Sequence, residues 1–348
     1  MVNINDFKGV VVIYNESSRL IKGEEKDLIS EQDVVKCAGA ITNALRSQSI
    51  ETELVPITEE AELSIARYDP LEWIIFNLAE GMGGRLFEES RIAWLLESRG
   101  YYFTGSSGRA IALTTNKALT KSFLSRTGLH TPAWWLIHSP DQISKRRDLP
   151  FPLFVKPVAE DASLGIGNES VVFDHKTLRD RVSYVIDNYH QSALVEEFID
   201  GREISAAAWE DPFELLPLSE INFRDFSSPQ SRIVNYDAKW QEGTFEYQNT
   251  PTICPAELSP KLLKTISRSA LHALQCTGAT NYARVDMRVT EDETPYILEI
   301  NCNPDLSPGA GFFHAVDKAG YTYPEMVIKI LNQARRHSDV YSFARSFR

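Results

Sequence analysis

The sequence predicts an α/β protein in which an N-terminal domain with a parallel sheet precedes two α+β units. Three observations support this class. The N-terminal third alternates apolar runs with helical repeats. The C-terminal half contains two alternating strand-like runs and a strongly amphipathic helix. Of the 348 residues, 43% are hydrophobic and 24% are charged, which excludes disorder as the main state.

The N-terminal elements alternate strand and helix. The apolar runs at 9–14 and 73–78 are typical of strands in a parallel sheet that is covered on both faces. Helical spacing of apolar residues predicts one helix over 31–48 and another over 87–98. This β-α-β order predicts a domain that we bound at residues 1–115.

The middle of the chain predicts a compact α+β unit. Apolar runs at 153–156 and 193–198 are strand-like, and helical spacing covers 175–189. We bound this unit at residues 116–206.

The C-terminal unit is predicted to span residues 207–336. It opens with a stretch at 224–256 that has no clear periodicity, which predicts a long functional loop or a partly ordered cover. Helical spacing returns at 258–275 and 323–336. The polar tail at 337–348 is predicted to be peripheral.

The charge balance excludes two classes of function. The chain has 36 Lys and Arg against 48 Asp and Glu, so its net charge is −12. It lacks the basic face that non-specific nucleic-acid binding requires, and anionic membranes repel it. Its apolar runs are too short for a membrane span, and its first residues lack the features of a signal peptide. We therefore expect a cytoplasmic protein with no nucleic-acid or membrane partner.

The most informative segment is a predicted hairpin over 282–301. Apolar and charged residues alternate along its first strand, so the apolar side chains face the core. In the second strand Glu299 and Asn301 share a face about 7 Å apart, and pairing in register would bring Asp286 to them. Two carboxylates and an amide oxygen suit Mg²⁺, which prefers oxygen ligands and shares them with phosphates. The alternative is a solvated polar face balanced by the neighbouring arginines.

A second candidate segment follows the predicted strand that ends at Lys156. The loop at 160–167 is rich in small residues, so its backbone N–H groups could approach phosphate oxygens while the lysine adds positive charge. Gly165 and Gly167 would serve an ordinary hairpin turn equally well. Neither a Walker A motif nor a GxGxxG fingerprint is present, so the common nucleotide-binding folds lack support.

In order along the chain, these segments resemble the ATP-grasp superfamily and, within it, the D-alanine–D-alanine ligase family. Residues 103–107 and 116–121 are similar to that family's Y-T-G-S and D-K-x-x-T-K segments. Residues 152–167 resemble its lysine strand and phosphate-covering loop, 195–203 its adenine hinge, and 281–304 its R-x-D and L-E-x-N metal strands. The resemblance implies an ATP-grasp fold, in which two α+β sub-domains enclose ATP beside the N-terminal domain.

The resemblance also implies a role for each matching residue. Nucleotide contacts are implied for Lys117, Lys156, Ser163, Glu196, Glu197, Phe198, Ile199, Glu203 and Lys239. Two Mg²⁺ ions, with Mn²⁺ as the alternative metal, would be held by Asp286, Glu299 and Asn301. Catalytic roles are implied for Arg284 at the charge that develops on the phosphoryl group, for Lys239 in a mobile loop, and for Glu16, which would orient the first amino acid.

The implied reaction joins two amino acids through an acyl phosphate. A carboxylate is a poor electrophile, so ATP first converts it to an acyl phosphate, and an amine then displaces phosphate. Lysines and metal ions neutralise the phosphoryl charge, and a closed loop excludes water. The family's homodimer through its first domain would use the helix predicted over 87–98.

The amino-acid half of the pattern departs from the family. The family's His-Gly loop begins with Glu80 here, its loop tyrosine is replaced by Trp240, and the glycine expected after Pro304 is Asp305. Since unmatched polar groups in a buried pocket are costly, such changes imply an altered substrate preference. Substrate contacts are predicted for Glu80, Trp240, Asp305, Ser307 and His314.

Three functions remain open at this point. The first is a ligase that joins two amino acids, D-alanine among them, through other contacts. The second is a specialised-pathway ligase that joins a different amino acid or small carboxylate to another amine. The third is a nucleotide-binding regulator that has lost the chemistry, against which the retained lysines and Arg284 argue.

Overall fold

The computed structural model of the chain describes residues 3–15, 22–58, 60–80, 86–145, 150–210 and 212–337. Within these ranges the strands form a parallel sheet of four strands, an antiparallel sheet of four and an antiparallel sheet of six. The predicted fold class is therefore confirmed. None of the helices in these ranges is long and apolar enough to cross a membrane.

The N-terminal unit is built around the parallel sheet, whose strands lie in the order β2-β1-β3-β4. Its elements are β1 (Gly9–Asn15), α1 (Leu28–Ser47), β2 (Thr52–Ile57), α2 (Ala61–Ile65), β3 (Trp73–Leu78), α3 (Glu88–Arg99), β4 (Tyr102–Phe103) and α4 (Gly108–Thr115). Every residue of β1 and β3 is buried, because apolar cores lie against both faces of the sheet. The predicted strands and the helix over 87–98 are confirmed, whereas the helix predicted to begin at residue 31 begins at Leu28.

The central unit is an antiparallel sheet in the order β5-β8-β6-β7, packed against one long helix. Its elements are α5 (Lys117–Arg126), β5 (Trp134–Ile137), β6 (Leu153–Pro157), β7 (Val171–Val172), α6 (His175–Tyr189) and β8 (Ala193–Glu197). The helix predicted over 175–189 is confirmed, as are the two strands. The unit has an apolar core of its own, which runs from Trp135 to Val195 in the described residues.

The C-terminal unit is built around the six-stranded sheet, ordered β12-β11-β9-β13-β14 with β10 paired to β9. Its elements are β9 (Arg202–Trp209), β10 (Glu214–Leu215), β11 (Ser219–Ile221), α7 (Tyr236–Trp240), α8 (Phe245–Gln248), β12 (Thr252–Ile253), α9 (Pro260–Thr277), β13 (Tyr282–Val289), β14 (Pro295–Asn301), α10 (Gly311–Lys318) and α11 (Tyr323–Asn332). The two helices predicted at 258–275 and 323–336 correspond to α9 and α11.

The boundary predicted between residues 206 and 207 falls inside strand β9. This strand pairs with β13 along its whole length, from Arg202 opposite Val289 to Trp209 opposite Tyr282. All of β9 therefore belongs to the C-terminal sheet, and the change of sheet occurs at the turn before it. Gly201 is required in that turn, since a Cβ atom there would clash with the carbonyl of Val289.

The stretch at 224–256 is largely irregular, as the prediction of a long loop implies, but part of it is ordered into short elements. It contains the short helices α7 and α8 and strand β12. The side chains of Asn235 and Thr244 cap the two helices by accepting the N–H groups of Ala238 and Tyr247. Helices of four or five residues are too short to show an apolar repeat, so pattern analysis missed them.

The C-terminal helices α10 and α11 pack against the N-terminal unit. Phe312 and Leu331 share one apolar core with Val12 and Ile41, and Tyr282 of β13 joins the same core. Helix α11 also contacts α1 directly. The N-terminal and C-terminal units are thus joined by buried apolar surface. The central sheet and α6 keep a separate core, whereas Leu124 of α5 packs into a core shared with the other two units.

Candidate active site

A cavity of about 1260 Å³ opens where the three units meet. Asn15 and Glu80 line it from the carboxyl ends of the parallel strands β1 and β3, the edge at which open α/β sheets usually bind ligands. Lys156 and Glu196 line it from the central sheet, and Arg284 lines it from the C-terminal sheet. The cavity is therefore walled by residues that lie far apart in sequence.

The hairpin of β13 and β14 supplies one wall. In its register Asp286 lies opposite Glu299 and Arg284 lies opposite Asn301, with a bulge after Asp286. All four of these residues line the cavity. The alternate apolar residues of β13 are buried in the core, as the alternation predicted. The convergence of Asp286, Glu299 and Asn301 is thus confirmed as geometry.

Positively charged and hydrogen-bonding side chains contact both of these carboxylates. Arg284 donates to both oxygens of Asp286 at 2.8–3.0 Å, and Ser205 Oγ donates to the same carboxylate at 2.7 Å. Lys117 Nζ lies 3.5 Å from Glu299. Burial opposes the ionisation of Glu299, but Lys117, Lys156 and Arg284 lower its pKa to about 2. Burial likewise disfavours the Arg284 cation, yet Asp286 and Glu299 raise its pKa.

Lys117 sits behind the cavity wall rather than in it. Its side chain is 3% exposed, and its ammonium group donates to Asp161 Oδ1 at 2.8 Å and to the carbonyl of Glu160 at 2.7 Å. Although burial disfavours its charge, Asp161 and Glu299 raise its pKa. Lys117 thus contacts two carboxylates that line the cavity, those of Asp161 and Glu299, without lining it itself.

One end of the cavity combines apolar and ionic residues. Phe154, Phe198, Ile199 and Ile221 line it, together with Glu197 and Glu203. Arg288 Nη2 donates to Glu203 at 2.7 Å, and its guanidinium carbon lies 5.8 Å from the centroid of the Phe198 ring. Burial raises the pKa of Glu203 in spite of this arginine. An apolar slot with a few polar groups at its edge suits a flat heteroaromatic ring.

Glu196 lies between two lysines. Its carboxylate is 2.8 Å from Lys121 Nζ and 3.3 Å from Lys156 Nζ, and all three side chains are buried. Burial opposes the ionisation of Glu196, but the two lysines lower its pKa. The residue predicted to contact adenine is therefore also the counter-ion of a lysine predicted to contact phosphate.

The loop at 160–167 is a structured turn. Gly165 adopts a φ of +71°, and a Cβ atom there would lie 2.7 Å from Pro157 Cγ. The N–H of Gly167 donates to Ser170 Oγ at 3.1 Å. The turn therefore accounts for Gly165, whereas the contact of Gly167 is a backbone bond that does not require glycine.

Helix α7 lies over this loop. Trp240 Nε1 donates to the carbonyl of Ala162 at 2.9 Å, and Ser163 Oγ donates to the carbonyl of Val234 at 3.0 Å. The ammonium group of Lys239 lies 5.0 Å from the centroid of the Trp240 ring. Lys239, Trp240 and Ser163 all line the cavity.

The predicted substrate residues do not all reach the cavity. Glu80, Trp240, Asp305 and Ser307 line it. His314 is exposed on α10 and is absent from the lining, because the helix turns this position towards solvent. Glu16 and most of the loop that follows Glu80 lie outside the described residues.

Three residues of the cavity region were missed by the sequence analysis. Glu89 reaches the cavity from the first turn of α3, and no local motif marks it. Ser205 binds Asp286 from β9, a contact that depends on strand register. Lys121 could have been found, since it lies four residues after Lys117 and so on the same face of one helix.

The donor set fits a divalent cation that shares its ligands with phosphate. Asp286, Glu299 and Asn301 provide oxygen atoms, which Mg²⁺ prefers. Across the described ranges no three Asp, Glu, His or Cys side chains form a group that could hold a metal alone. Asp286, Glu299 and Asn301 would hold such an ion, which would supply positive charge beside a phosphate group.

A scan against protein-family models matches residues 123–332 to the model described as D-ala D-ala ligase C-terminus. The chain belongs to the D-alanine–D-alanine ligase family. As a member of it, the protein is an ATP-grasp enzyme of the carboxylate–amine ligase class. The predicted resemblance is confirmed.

Two relatives illustrate the range of this family. The chain is 32% identical to the uncharacterized protein y4sG of Sinorhizobium fredii, over 86% of this chain and 88% of that protein. It is 28% identical to a D-alanine–D-alanine ligase of Maridesulfovibrio salexigens, over 88% and 96% of the two chains.

Solved structures share the fold of this family member. A D-alanine–D-alanine ligase from Bacillus anthracis complexed with ATP gives a TM-score of 0.69 at 22% identity, with 93% of this chain and 95% of that chain covered. The enzyme from Coxiella burnetii gives 0.70 at 18% identity, with 97% of each chain covered. The predicted ATP-grasp fold is therefore confirmed.

Proposed function

We propose that this protein forms an amide bond between two amino acids, using ATP to convert the carboxylate of one of them to an acyl phosphate. The observation that carries this proposal is the wall that holds Arg284, Asp286, Glu299 and Asn301 beside an apolar slot in one cavity. The apolar slot would bind the nucleotide base, and the charged wall beside it would bind the phosphate groups.

Different residues of the cavity would bind different parts of the nucleotide. The apolar slot around Phe198 and Ile199 would hold the adenine, with Glu196, Glu197 and Glu203 at its edge. Lys156 and Lys239 would bind phosphate oxygens, and Ser163 would add a hydroxyl donor. Two Mg²⁺ ions bound to Asp286, Glu299 and Asn301 would neutralise charge on the phosphate chain.

Arg284 would stabilise the charge that develops during both steps. Its guanidinium is oriented by Asp286, and the residue lines the cavity. Helix α7 lies over the loop at 160–167, which would exclude the water that otherwise hydrolyses an acyl phosphate.

The test is release of ADP and phosphate from ATP by the purified protein with Mg²⁺. Amino acids of both stereochemistries are supplied singly and in pairs, and products are identified by mass spectrometry. We expect release that requires an amino acid and yields a dipeptide mass, and Glu299→Gln should abolish it. Binding of ATP without turnover in any mixture would contradict the proposal and favour a nucleotide-binding regulator.

A specific observation favours a specialised substrate pair as the second candidate. The carboxylates of Asp33, Glu80, Glu89 and Asp305 line the cavity, and acidic side chains outnumber basic ones there. Burial and Asp305 raise the pKa of Asp33, while burial and neighbouring carboxylates raise that of Glu89 well above its usual range. Such crowding of negative charge favours a substrate with an additional positive charge.

The same screen separates the two candidates. Lysine, ornithine and short diamines are compared with alanine as the amine substrate, in the wild type and in Asp305→Asn. If the second candidate holds, the cationic amines react fastest, and Asp305→Asn narrows their advantage over alanine. If alanine is the best amine substrate in both the wild type and Asp305→Asn, the result would favour dipeptide synthesis from alanine.

A further inference from the structure

Three buried charged side chains form a row at the wall of the cavity. The side chains of Lys121, Glu196 and Lys156 are 1%, 3% and 6% exposed. Lys121 contacts Glu196 Oε1 at 2.8 Å, and Lys156 contacts Glu196 Oε2 at 3.3 Å. Glu196 and Lys156 line the cavity, but Lys121 does not. Lys121 would therefore act on a ligand without contacting it, through Glu196 and Lys156 and through its own charge.

The charge of this row depends on Lys121. Two lysines and one glutamate leave a net positive charge at the cavity, and each glutamate oxygen faces one lysine. Without Lys121, Glu196 and Lys156 would form a neutral pair, and Lys156 would lose much of its attraction for a phosphate oxygen. Electrostatic effects of this kind are large in a buried site, because water does not screen them.

A second set of contacts anchors Lys121 to the opposite sheet. Lys121 Nζ donates to Thr131 Oγ1 at 2.9 Å, and Thr131 Oγ1 donates to the carbonyl of Ile297 at 2.9 Å. Ile297 lies on β14, two residues before Glu299. The row thus links the central sheet, which carries Lys156 and Glu196, to the strand that carries Glu299.

We propose that Lys121 is a positioning residue, which holds Glu196 and so leaves the charge of Lys156 available for the phosphate groups of a nucleotide. The proposal rests on the nucleotide site of the proposed function. It assigns to α5 an electrostatic role in nucleotide binding that does not require contact with the nucleotide.

The test measures binding of ATP, and of adenosine as the probe without phosphates, by calorimetry with Mg²⁺ present. Lys121→Met should weaken ATP binding by about tenfold or more, since truncating one partner of a buried charge pair is costly. Adenosine binding should change much less. Lys121→Arg, which keeps the charge, should stay near the wild type. Thr131→Val removes only the hydrogen bond between Lys121 and Thr131, so it should weaken ATP binding less than Lys121→Met does.

A double variant distinguishes charge from structure. In Lys121→Met combined with Glu196→Gln, the carboxylate that contacts Lys156 directly is gone, so ATP affinity should recover relative to Lys121→Met alone. Additive losses, or equal losses for ATP and adenosine, would overturn the proposal. Thermal unfolding confirms that each variant is folded, and Lys121→Gln replaces Lys121→Met if the latter does not fold.

The outcomes separate this inference from the function on which it rests. A wild-type protein that binds no nucleotide would overturn both. A wild type that binds ATP, with a folded Lys121→Met variant that binds it equally well, would overturn the role of Lys121 alone.

Discussion

Arg284 has two kinds of contact in the cavity, and they make its removal informative. It binds Asp286 through two nitrogens, and it faces the space in which phosphoryl charge would develop. We expect Arg284→Ala to lower kcat by about a hundredfold or more, as loss of an oriented donor to a developing oxyanion does, with a much smaller change in ATP affinity. Steady-state kinetics and calorimetry measure the two effects.

Arg284→Lys is the matched control for this prediction. It keeps the charge but loses the planar fork that binds both oxygens of Asp286, so its kcat should fall between those of the wild type and Arg284→Ala. A kcat for Arg284→Ala equal to that of the wild type would remove Arg284 from the mechanism.

The pH dependence of nucleotide binding should report on Lys121. Burial lowers the pKa of Lys121 to about 8, and the charge of Lys156 acts in the same direction. Glu196 and Glu299 favour the charged form and oppose this shift. ATP affinity should therefore fall as the pH rises through about 8, and Lys121→Arg should remove this step. Isothermal calorimetry at several pH values measures it. If ATP affinity still falls near pH 8 in Lys121→Arg, a group other than Lys121 is responsible for the pH dependence.

Stability should change in the opposite direction over the same range. The lowered pKa means that the unfolded chain holds this proton up to about pH 10.5, whereas the folded chain releases it near 8. The unfolded state binds more protons in this window, so the contribution of Lys121 to the free energy of unfolding rises with pH there.

At the scale of elements, the loop at 160–167 and the segment that contains α7 hold each other in place. Besides the bonds of Trp240 and Ser163, the N–H of Tyr236 donates to the carbonyl of Ile166 at 2.9 Å. Asn235 Nδ2 donates to Asn168 Oδ1 at 3.0 Å. These bonds join two segments from different units, and both segments line the cavity.

Loss of one of these bonds should let water reach the intermediate. We expect Trp240→Phe, which removes the indole N–H, to raise the ratio of phosphate released to amide formed by several-fold, since one such bond contributes about 1 kcal/mol. Phosphate assay and mass spectrometry give the ratio. The control is Trp94→Phe, on a partly exposed helix position outside the cavity lining, which should leave it unchanged. A ratio that stays constant in both variants would contradict a role for this contact in excluding water.

At the scale of the whole molecule, the separate cores predict two unfolding transitions. Leu178 lies in the core of the central unit, and Leu331 lies in the core that the N-terminal and C-terminal units share; both are 1% exposed. Each Leu→Ala change should cost about 2–5 kcal/mol, but each should lower only the transition of its own core. Differential scanning calorimetry measures both.

A bound nucleotide gives an independent check of this division. Because the cavity lies between the units, ATP with Mg²⁺ should raise the midpoint of both transitions in the wild type. A single transition that both leucine variants lower equally would show that the described units unfold as one.

Local patterns were sufficient for much of the fold and for part of the site. Local apolar patterns were long enough to identify several elements without any information about their tertiary contacts. These elements are the strands at 9–14 and 73–78 and the helix at 175–189. The hairpin brought Asp286, Glu299 and Asn301 together because strand parity and register are local properties. The roles assigned to these residues in catalysis stay predictions.

Other features depended on contacts that no local pattern contains. The unit to which β9 belongs was decided by its pairing with β13, and the orientation of His314 was decided by how α10 packs. The ion-pair partner of Lys121, Glu196, lies on a strand more than 70 residues away in sequence.

The sequence by itself therefore determined the fold class, the family and the carboxylate hairpin, since these follow from periodicity and from short ordered motifs. Only the tertiary structure decided which charges neutralise one another around the cavity. The physical reason is that an ion pair forms between side chains that packing brings within a few ångströms, and separation along the chain says little about that distance.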